Sequence, residues 1–596
     1  MPDYDVVIVG GGISGAIMAA ELGRAGARVL VLEAGPAVGR TWTEYQGNVD
    51  QYRAAGFKVP NSPYYTPPDV PSPSVLDIRK LTPGSLPDDT GYFVQDGPLP
   101  FGSDYLRSQG GTMLHWLGTS LRQVPSDFEM ASRYGRGIDW PIGYEDLAPY
   151  YETAESELGV SADVEDQGYL GINFPDGYVY PMYRIPPSYL DQRVAKTIDG
   201  KSVTLDGQAY ELLVSSTPQG RNSMPNPHYD GGQGYQPVGA YGAPHEGQRC
   251  QGNSSCIPIC PVQAKYNALK TWGKVTGDVK LRTQCVVSKL VHSGPGEISA
   301  LEYIAYTDGQ PPANPERVTA TLYVLAGNAI ENPKLLLASG VPNTNDLIGR
   351  NLMDHPYLLA WALMPENVGA FRGPSSTSGI EILRDGAFRS QRAAFRMEIV
   401  NWGWDFAAFA PYSDVQGAVG RSGLFGAALR EQLADSVPRQ FHVGFLYEQL
   451  PDPNNRVYVS DSYLDPLGIP RPRIQYDIDD YTRAGMTASR ELWTQLFQML
   501  GAEDHTEYWP SDPGYLVVDG QPYSYHGAGH LAGTHPIGPA AETSVVDSHQ
   551  RCWEHQNLYL VGCGSMPTIA TSNPTETMVA MVYRTLDQVR DDLGLR

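Results

Sequence analysis

The chain opens on a short apolar run from Asp5 to Val9 that ends on glycine, the pattern of a buried strand. Ile13 to Arg24 follows, rich in alanine and leucine at helical spacing, and Arg28 to Leu32 reads as a second strand. Strand, turn, helix and strand in that order predict the start of a parallel sheet. Tyr144 to Leu158 places its apolar residues on one helical face, and Thr575 to Leu593 predicts a closing helix. Two irregular stretches lie between. Pro60 to Pro87 holds eight prolines among Ser, Thr and Tyr. It predicts a long ordered excursion over the surface, anchored by Tyr64, Tyr65 and Leu76. Asn222 to Gly247, rich in Gly, Pro and Tyr, leads into a cluster of cysteines. The chain carries no internal repeats and no long charge runs.

At 596 residues the chain is too long for one core and predicts two or more lobes. Hydrophobic residues make up 41% and charged ones 18%, which excludes a disordered chain. Lys and Arg number 43 against 66 Asp and Glu, a net charge of −23, and so acidic a surface excludes nucleic acid as a partner. The 64 glycines and 49 prolines predict many turns and exclude an all-helical bundle. No apolar run reaches the length of a membrane span. Met1 to Asp5 is acidic, without the basic start of a secretory signal, so none is expected.

Gly10-Gly11-Gly12-Ile13-Ser14-Gly15 contains the G-x-G-x-x-G spacing between the first strand and the first helix. Its glycines allow a tight turn and close approach of a pyrophosphate, and the helix N-terminus offers amide donors. Glu33 ends the second strand about 20 residues on, where a carboxylate accepts hydrogen bonds from ribose hydroxyls. FAD and NAD both satisfy this pattern.

Near the C-terminus, His526, His530 and His535 fall within ten residues. Glycines between His526 and His530 break the helix that a zinc pair would need. Asn573-Pro574-Thr575 opens the last helix, with Asn573 near the N-cap and Pro574 in the first turn. Imidazole suits removal of a hydroxyl proton, and an amide can orient the same oxygen. The pair suits oxidation of an alcohol by hydride transfer.

Six cysteines are too few for a disulfide framework in a chain of this length. Cys250, Cys256 and Cys260 lie within eleven residues, with Pro261 after the last; Cys285, Cys552 and Cys563 are scattered. Three close thiolates followed by proline suit an iron–sulfur cluster, and three ligands suit a 3Fe-4S cluster. Zinc, a disulfide and free thiols are the competing readings. No histidine sits within the motif at zinc spacing, since His245 lies outside it.

Over essentially its whole length the chain resembles the glucose–methanol–choline (GMC) flavoprotein oxidoreductases. The matching residues are the N-terminal fingerprint, Gly110-Gly111-Thr112-Met113-Leu114-His115-Trp116 and Trp140-Pro141. Ala326-Gly327 with Glu331-Asn332, Gly349-Arg350-Asn351-Leu352, His530 with Gly533, and Asn573-Pro574-Thr575 complete the set. Pro451 to Val457 and Asp465 to Pro470 resemble the large catalytic subunits of bacterial FAD sugar dehydrogenases. Gly562 to Thr568 is also similar to pyranose oxidases.

The resemblance implies FAD, held by Gly10, Gly12, Ile13, Ser14, Gly15, Glu33, Gly110, Gly111, Thr112, Val287, Ala326, Gly327, Gly562, Cys563 and Thr575. It implies His530 as the base that takes the hydroxyl proton and Asn573 as the group that orients the substrate oxygen. His115 matches the position where pyranose oxidases attach FAD covalently, and His355 is expected to be structural. Relatives of the dehydrogenase group carry a 3Fe-4S cluster at a motif like that of Cys250, Cys256 and Cys260. Where some of them have tandem cysteines, Arg249 replaces the first, which removes a fourth local ligand.

The fold class implied is α/β, α+β overall, with a Rossmann-like FAD-binding lobe and a substrate lobe built on an antiparallel sheet. The FAD lobe is expected from 1–125, 241–355 and 536–596, and the substrate lobe from 126–240 and 356–535. The expected function is FAD-dependent dehydrogenation of a secondary alcohol of a sugar or glycoside, with C3 of glucosides as the leading position. Electrons would leave through the 3Fe-4S cluster to an external acceptor. A small subunit and a cytochrome c are the expected protein partners. The chain would be periplasmic through an export signal on that small subunit, or else cytoplasmic. The alternative is an oxygen-dependent pyranose or C-glycoside oxidase producing hydrogen peroxide. A non-redox lyase or binding subunit on this fold is a third reading, which intact His530 and Asn573 count against.

Overall fold

The structure, a computed structural model, describes residues 2–38, 43, 85–239, 248–252, 260, 262–307, 310, 313–370, 376–404 and 417–595. Most of the expected proline-rich excursion, including Tyr64, Tyr65 and Leu76, lies outside these residues, as do Cys256 and Pro261.

The N-terminal pattern forms strand Tyr4–Val9, helix Ile13–Arg24 and strand Val29–Leu32. The strands are buried apolar runs, as a sheet covered on both faces requires. Three more strands join them from far along the chain. The order across the parallel sheet is Leu558–Leu560, Ala320–Leu325, Tyr4–Val9, Val29–Leu32 and Val279–Arg282. This is a Rossmann-like lobe within a mixed α/β fold.

Helix Tyr144–Leu158 buries Tyr144, Leu147, Tyr151, Ala154 and Leu158, a stripe at three- and four-residue spacing. It packs on the closing helix Thr575–Asp592, and the Tyr151 hydroxyl meets Thr577 Oγ1 at 2.8 Å. That helix begins at Thr575, as the sequence suggests, but its cap differs. Pro574, not Asn573, takes the N-cap position, and no side chain caps it. The Asn573 side chain is thereby released for another partner.

The second lobe is a largely antiparallel sheet. Its order is Glu503–Asp504, Pro356–Leu363, Gln440–Tyr447, Phe395–Val400, Ser376–Ile380 and Val214–Ser216, with His526–Gly527 pairing beside Pro356 and Tyr357. The 21-residue helix Asp480–Leu500 covers one face, seating Trp493 against Phe445 and Phe497 against Phe441. Each lobe has its own apolar core. No described helix is long and apolar enough to cross a membrane.

Candidate active site

Val9 pairs in register with Leu325, and Leu325 with Leu560. Gly10, Ala326 and Val561 therefore leave the sheet side by side at its carboxyl edge, where open α/β sheets bind ligands. Gly10 takes φ +106°, and a Cβ there would lie 2.7 Å from Ala326 O. Only glycine lets these two turns meet. A Cβ on Gly15 would collide with Gly10 O, so the first helix sits directly on the end of the strand.

These turns border a cavity of about 360 Å³ that extends to the antiparallel sheet. Of the residues expected to hold the cofactor, all but Gly15 and Gly110 line it, and so do His530 and Asn573. Gly110 stands behind, donating its N–H to Gly11 O at 2.9 Å.

The cavity fits a dinucleotide on three counts. Helix Ile13–Arg24 starts without a side-chain cap or an acidic first turn, so its amides and dipole stay available to an anion. A side chain at Gly12 would meet nothing within 4 Å, which leaves the approach open. Glu33 accepts the N–H of Gly11 at 2.6 Å and of Gly35 at 2.8 Å, one on each oxygen. Each oxygen retains a lone pair for a ribose hydroxyl. Burial raises the Glu33 pKa while the two amides oppose the rise. The expected ribose acceptor thus also clamps the glycine turn to the end of the second strand.

A second charged cluster on the cavity wall joins Arg107 to Glu331 and Lys334, which lie more than 200 residues further along the chain. Arg107 pairs with Glu331, and Lys334 Nζ reaches the other Glu331 oxygen at 2.8 Å. Burial pushes the Glu331 carboxyl up, but Arg107 and Lys334 together hold it below the usual carboxylate range.

At the other end of the cavity, Asp354 fixes the histidines through their backbones. It accepts the N–H of His355 at 2.8 Å and of His530 at 3.0 Å, and the Ser103 hydroxyl as well. Burial pushes the Asp354 pKa up to about 6. His355, read from sequence as structural, contacts His530 directly: Nδ1 to Nδ1 is 2.7 Å, while His355 Nε2 lies 2.9 Å from Ala570 O.

These contacts fix the proton positions. A carbonyl oxygen only accepts, so His355 Nε2 carries the hydrogen bonded to Ala570 O. Burial pushes the His355 pKa down to about 4, so the ring is neutral and its Nδ1 is an acceptor. The hydrogen between the rings therefore belongs to His530 Nδ1. His530 Nε2 is left with its lone pair, 3.3 Å from Asn573 Nδ2. Burial, then the neighbouring His355, holds the His530 pKa well below its ordinary value. Asn573 Oδ1 is buried and accepts no hydrogen bond. Ala570 presents its carbonyl from a left-handed conformation, φ +52°, the kind of strain that collects at working sites.

His115 also lines the cavity, and burial, then Lys265, pushes its pKa down to about 3. Cys260 is buried and Cys250 half-buried, and neither lines the cavity. Among the described residues no three His, Cys, Asp or Glu side chains gather as metal ligands. Cys256 lies outside that set.

The family described as GMC oxidoreductase matches residues 233–357 and 451–581, and an NAD(P)-binding Rossmann-like domain matches residues 8–67. The chain is 31% identical to the fructose dehydrogenase large subunit of Gluconobacter japonicus, covering 99% of this chain and 98% of that one. It is 25% identical to paromamine 6'-oxidase of Streptomyces fradiae, covering 100% and 92%. The crystal structure of pyridoxine 4-oxidase from Mesorbium loti shares the fold, with a TM-score of 0.57 at 18% identity over 98% of this chain and 99% of that one. A Rossmann turn, a half-buried neutral histidine with its lone pair toward the cavity, and these matches lead to one assignment: the chain belongs to the GMC oxidoreductase family and is an FAD-dependent oxidoreductase acting on a CH–OH group.

Proposed function

We propose that the enzyme oxidises a secondary hydroxyl of a sugar or glycoside, with C3 of a glucoside as the first position to test. The observation that carries this reading is the unprotonated His530 Nε2 beside the Asn573 amide, in the same cavity as the dinucleotide turn. FAD, when bound, supplies a two-electron acceptor for the hydride of the CH–OH carbon. His530 Nε2 takes the hydroxyl proton, and Asn573 Nδ2 holds the oxygen as negative charge develops on it. His355 keeps the His530 proton on Nδ1. Gly10, Gly12, Ile13 and Ser14 hold the pyrophosphate, and Glu33 the ribose. His115, neutral and on the cavity wall, is proposed as a covalent attachment point.

The sugar class is supported by two of the full-length relatives, whose names state a fructose dehydrogenase and a paromamine 6'-oxidase. For the electron acceptor, dioxygen asks least of the chain, since it needs nothing beyond the flavin cavity. The oxidase relative supports it. A second reading is favoured by the 31% match to the fructose dehydrogenase large subunit and by the spacing of Cys250, Cys256 and Cys260. In it the chain is the catalytic subunit of a dehydrogenase, the three cysteines hold a 3Fe-4S cluster, and the partners are a small subunit and a cytochrome c. Export with that small subunit would then make it periplasmic, the alternative being a cytoplasmic enzyme.

The test is a panel of sugars and glycosides against flavin-loaded protein, following flavin bleaching under nitrogen and product identity. Peroxide formed in air, with no iron in anaerobically purified protein, supports the oxidase. About three irons per flavin, with dye or cytochrome reduction and no peroxide, supports the relay. No bleaching by any sugar or glycoside would overturn the substrate class. Flavin that stays with acid-precipitated protein supports attachment at His115, and flavin released from it counts against attachment.

A further inference from the structure

Opposite the parallel sheet, the cavity reaches Glu398 and Tyr357. On strand Phe395–Val400, Phe395, Met397 and Ile399 point into the apolar core, while Arg396 and Glu398 share the other face. Arg396 is fully buried and pairs with both Glu398 and Glu381, reaching the latter at 2.9 Å. It also donates to Thr217 Oγ1 at 2.7 Å, and Arg384 closes on Glu381 at 3.4 Å. Two cations and two carboxylates thus alternate in a line that ends at Glu398. Glu398 is the most open of the four, with 12% of its side chain exposed against 4% for Glu381 and 0% for the arginines.

Arg396 engages Glu398 Oε1, while Oε2, among the described residues, has a long 3.5 Å contact from the Tyr357 hydroxyl. That hydroxyl reaches Glu398 across an intervening strand. Gly444 is the cross-strand partner of both Leu359 and Glu398, and a Cβ on it would collide with the Tyr357 hydroxyl. Absence of a side chain at position 444 is what lets the phenol lie over the middle strand and arrive beside the carboxylate.

We propose that Glu398 Oε2 and the Tyr357 hydroxyl form a polyol subsite, binding hydroxyls next to the one that is oxidised. This deepens the proposed sugar reading and rests on it. A carboxylate oxygen held rigid by a buried arginine accepts well from a hydroxyl, and the phenol can accept or donate to its neighbour. The subsite explains why one carboxylate of the buried line opens into the cavity.

The experiment titrates flavin-loaded enzyme under nitrogen with two probes, trans-1,2-cyclohexanediol and cyclohexanol, which differ by one hydroxyl. The concentration giving half the flavin absorbance change is read for each. Wild type is expected to respond to the diol at about tenfold or more lower concentration, and E398Q to need about 10–100-fold more diol, bringing the two probes together. Y357F should weaken the diol response less, and E398D should restore part of it. With a sugar substrate the same variants should raise KM more than they lower kcat. Equal response of wild type to both probes, no response to either, or an unchanged ratio in E398Q with full flavin content would overturn the subsite. If E398Q does not hold flavin, Y357F decides by the same ratio. Diol preference that depends on Glu398, in an enzyme that oxidises no sugar or glycoside, would keep the subsite and overturn the sugar reading instead.

Discussion

His355 and His530 face each other Nδ1 to Nδ1 at 2.7 Å with their ring planes at 89°, although 175 residues separate them in sequence. Two neutral imidazoles can share one hydrogen there only if one ring is anchored in a single tautomer. The Ala570 carbonyl provides that anchor at 2.9 Å. The consequence reaches the far side of the second ring, where His530 Nε2 must be the unprotonated atom.

Replacing His355 therefore acts through His530. H355L removes the acceptor and lets His530 adopt either tautomer, with an expected fall in kcat of about 10–100-fold and full flavin content, the scale of losing a partner that orients an imidazole. H355N keeps an acceptor oxygen near the lost Nδ1 and should recover part of the rate. Stopped-flow flavin reduction measures both. Equal rates for H355L and wild type would show that the contact does not order the base.

Removing the base itself has a larger effect. H530A should slow flavin reduction by about 10²–10⁴-fold, the usual share of a general base. N573D tests the second partner differently. A carboxylate beside Nε2 favours the imidazolium and raises the His530 pKa. The base is then protonated at higher pH, so the acid limb of kcat/KM should move upward relative to wild type. An unmoved limb in N573D would place Asn573 away from the working nitrogen.

What the sequence made legible was local. The strand, glycine turn and helix from Asp5 to Arg24 announce themselves because each signal lies within a few residues of the next. Asn573 was ambiguous for the same reason: its neighbourhood spells an N-cap, and only His530, 43 residues away, draws its side chain into the cavity instead. Glu398 was invisible because Arg396 and Glu398 alternate with apolar residues, the signature of a strand with one face in water. Here that face meets Glu381, Thr217 and a cavity. Glu331 entered only as part of the family resemblance, and Arg107, 224 residues away, had no local signal at all.

The Arg107–Glu331–Lys334 cluster should be a strong stabiliser that weakens in acid. E331Q would leave two buried cations with Asp465 as the nearby anion in place of their direct partner, a loss of about 3–5 kcal/mol for a broken buried pair. In wild type the Glu331 pKa is depressed, so its contribution is present above the ordinary carboxylate value and lost as pH falls through the folded one. Thermal unfolding of flavin-loaded protein at pH 7 measures the difference. An E331Q protein as stable as wild type would mean that the cations are neutralised by another route.

Buried histidines make a broader prediction about acid. Burial pushes His115, His442 and His535 down to about 3, and His355 and His526 down to about 4. Each is neutral in the fold and gains a proton near pH 6.5 when unfolded, so the unfolded chain binds more protons between those values. Stability from these groups is fully present above about pH 6.5 and declines as pH falls, by on the order of 1.4 kcal/mol per unit for each histidine once it is well below that value. Asp127 and Asp354, both raised to about 6 by burial, act oppositely. They take up protons in the fold before the unfolded chain does and stabilise it as pH falls from 6 toward 4. Burial also raises Glu33, Glu152, Asp465, Asp479, Asp512 and Glu576, which offset the histidines, and lowers His530, His549 and His555, which add to them. The midpoint of thermal unfolding should hold level from pH 8 to 6.5 and then drop between pH 6 and 4, while a level midpoint down to pH 4 would mean that the raised carboxyls cancel these rings or that the rings are protonated inside the fold.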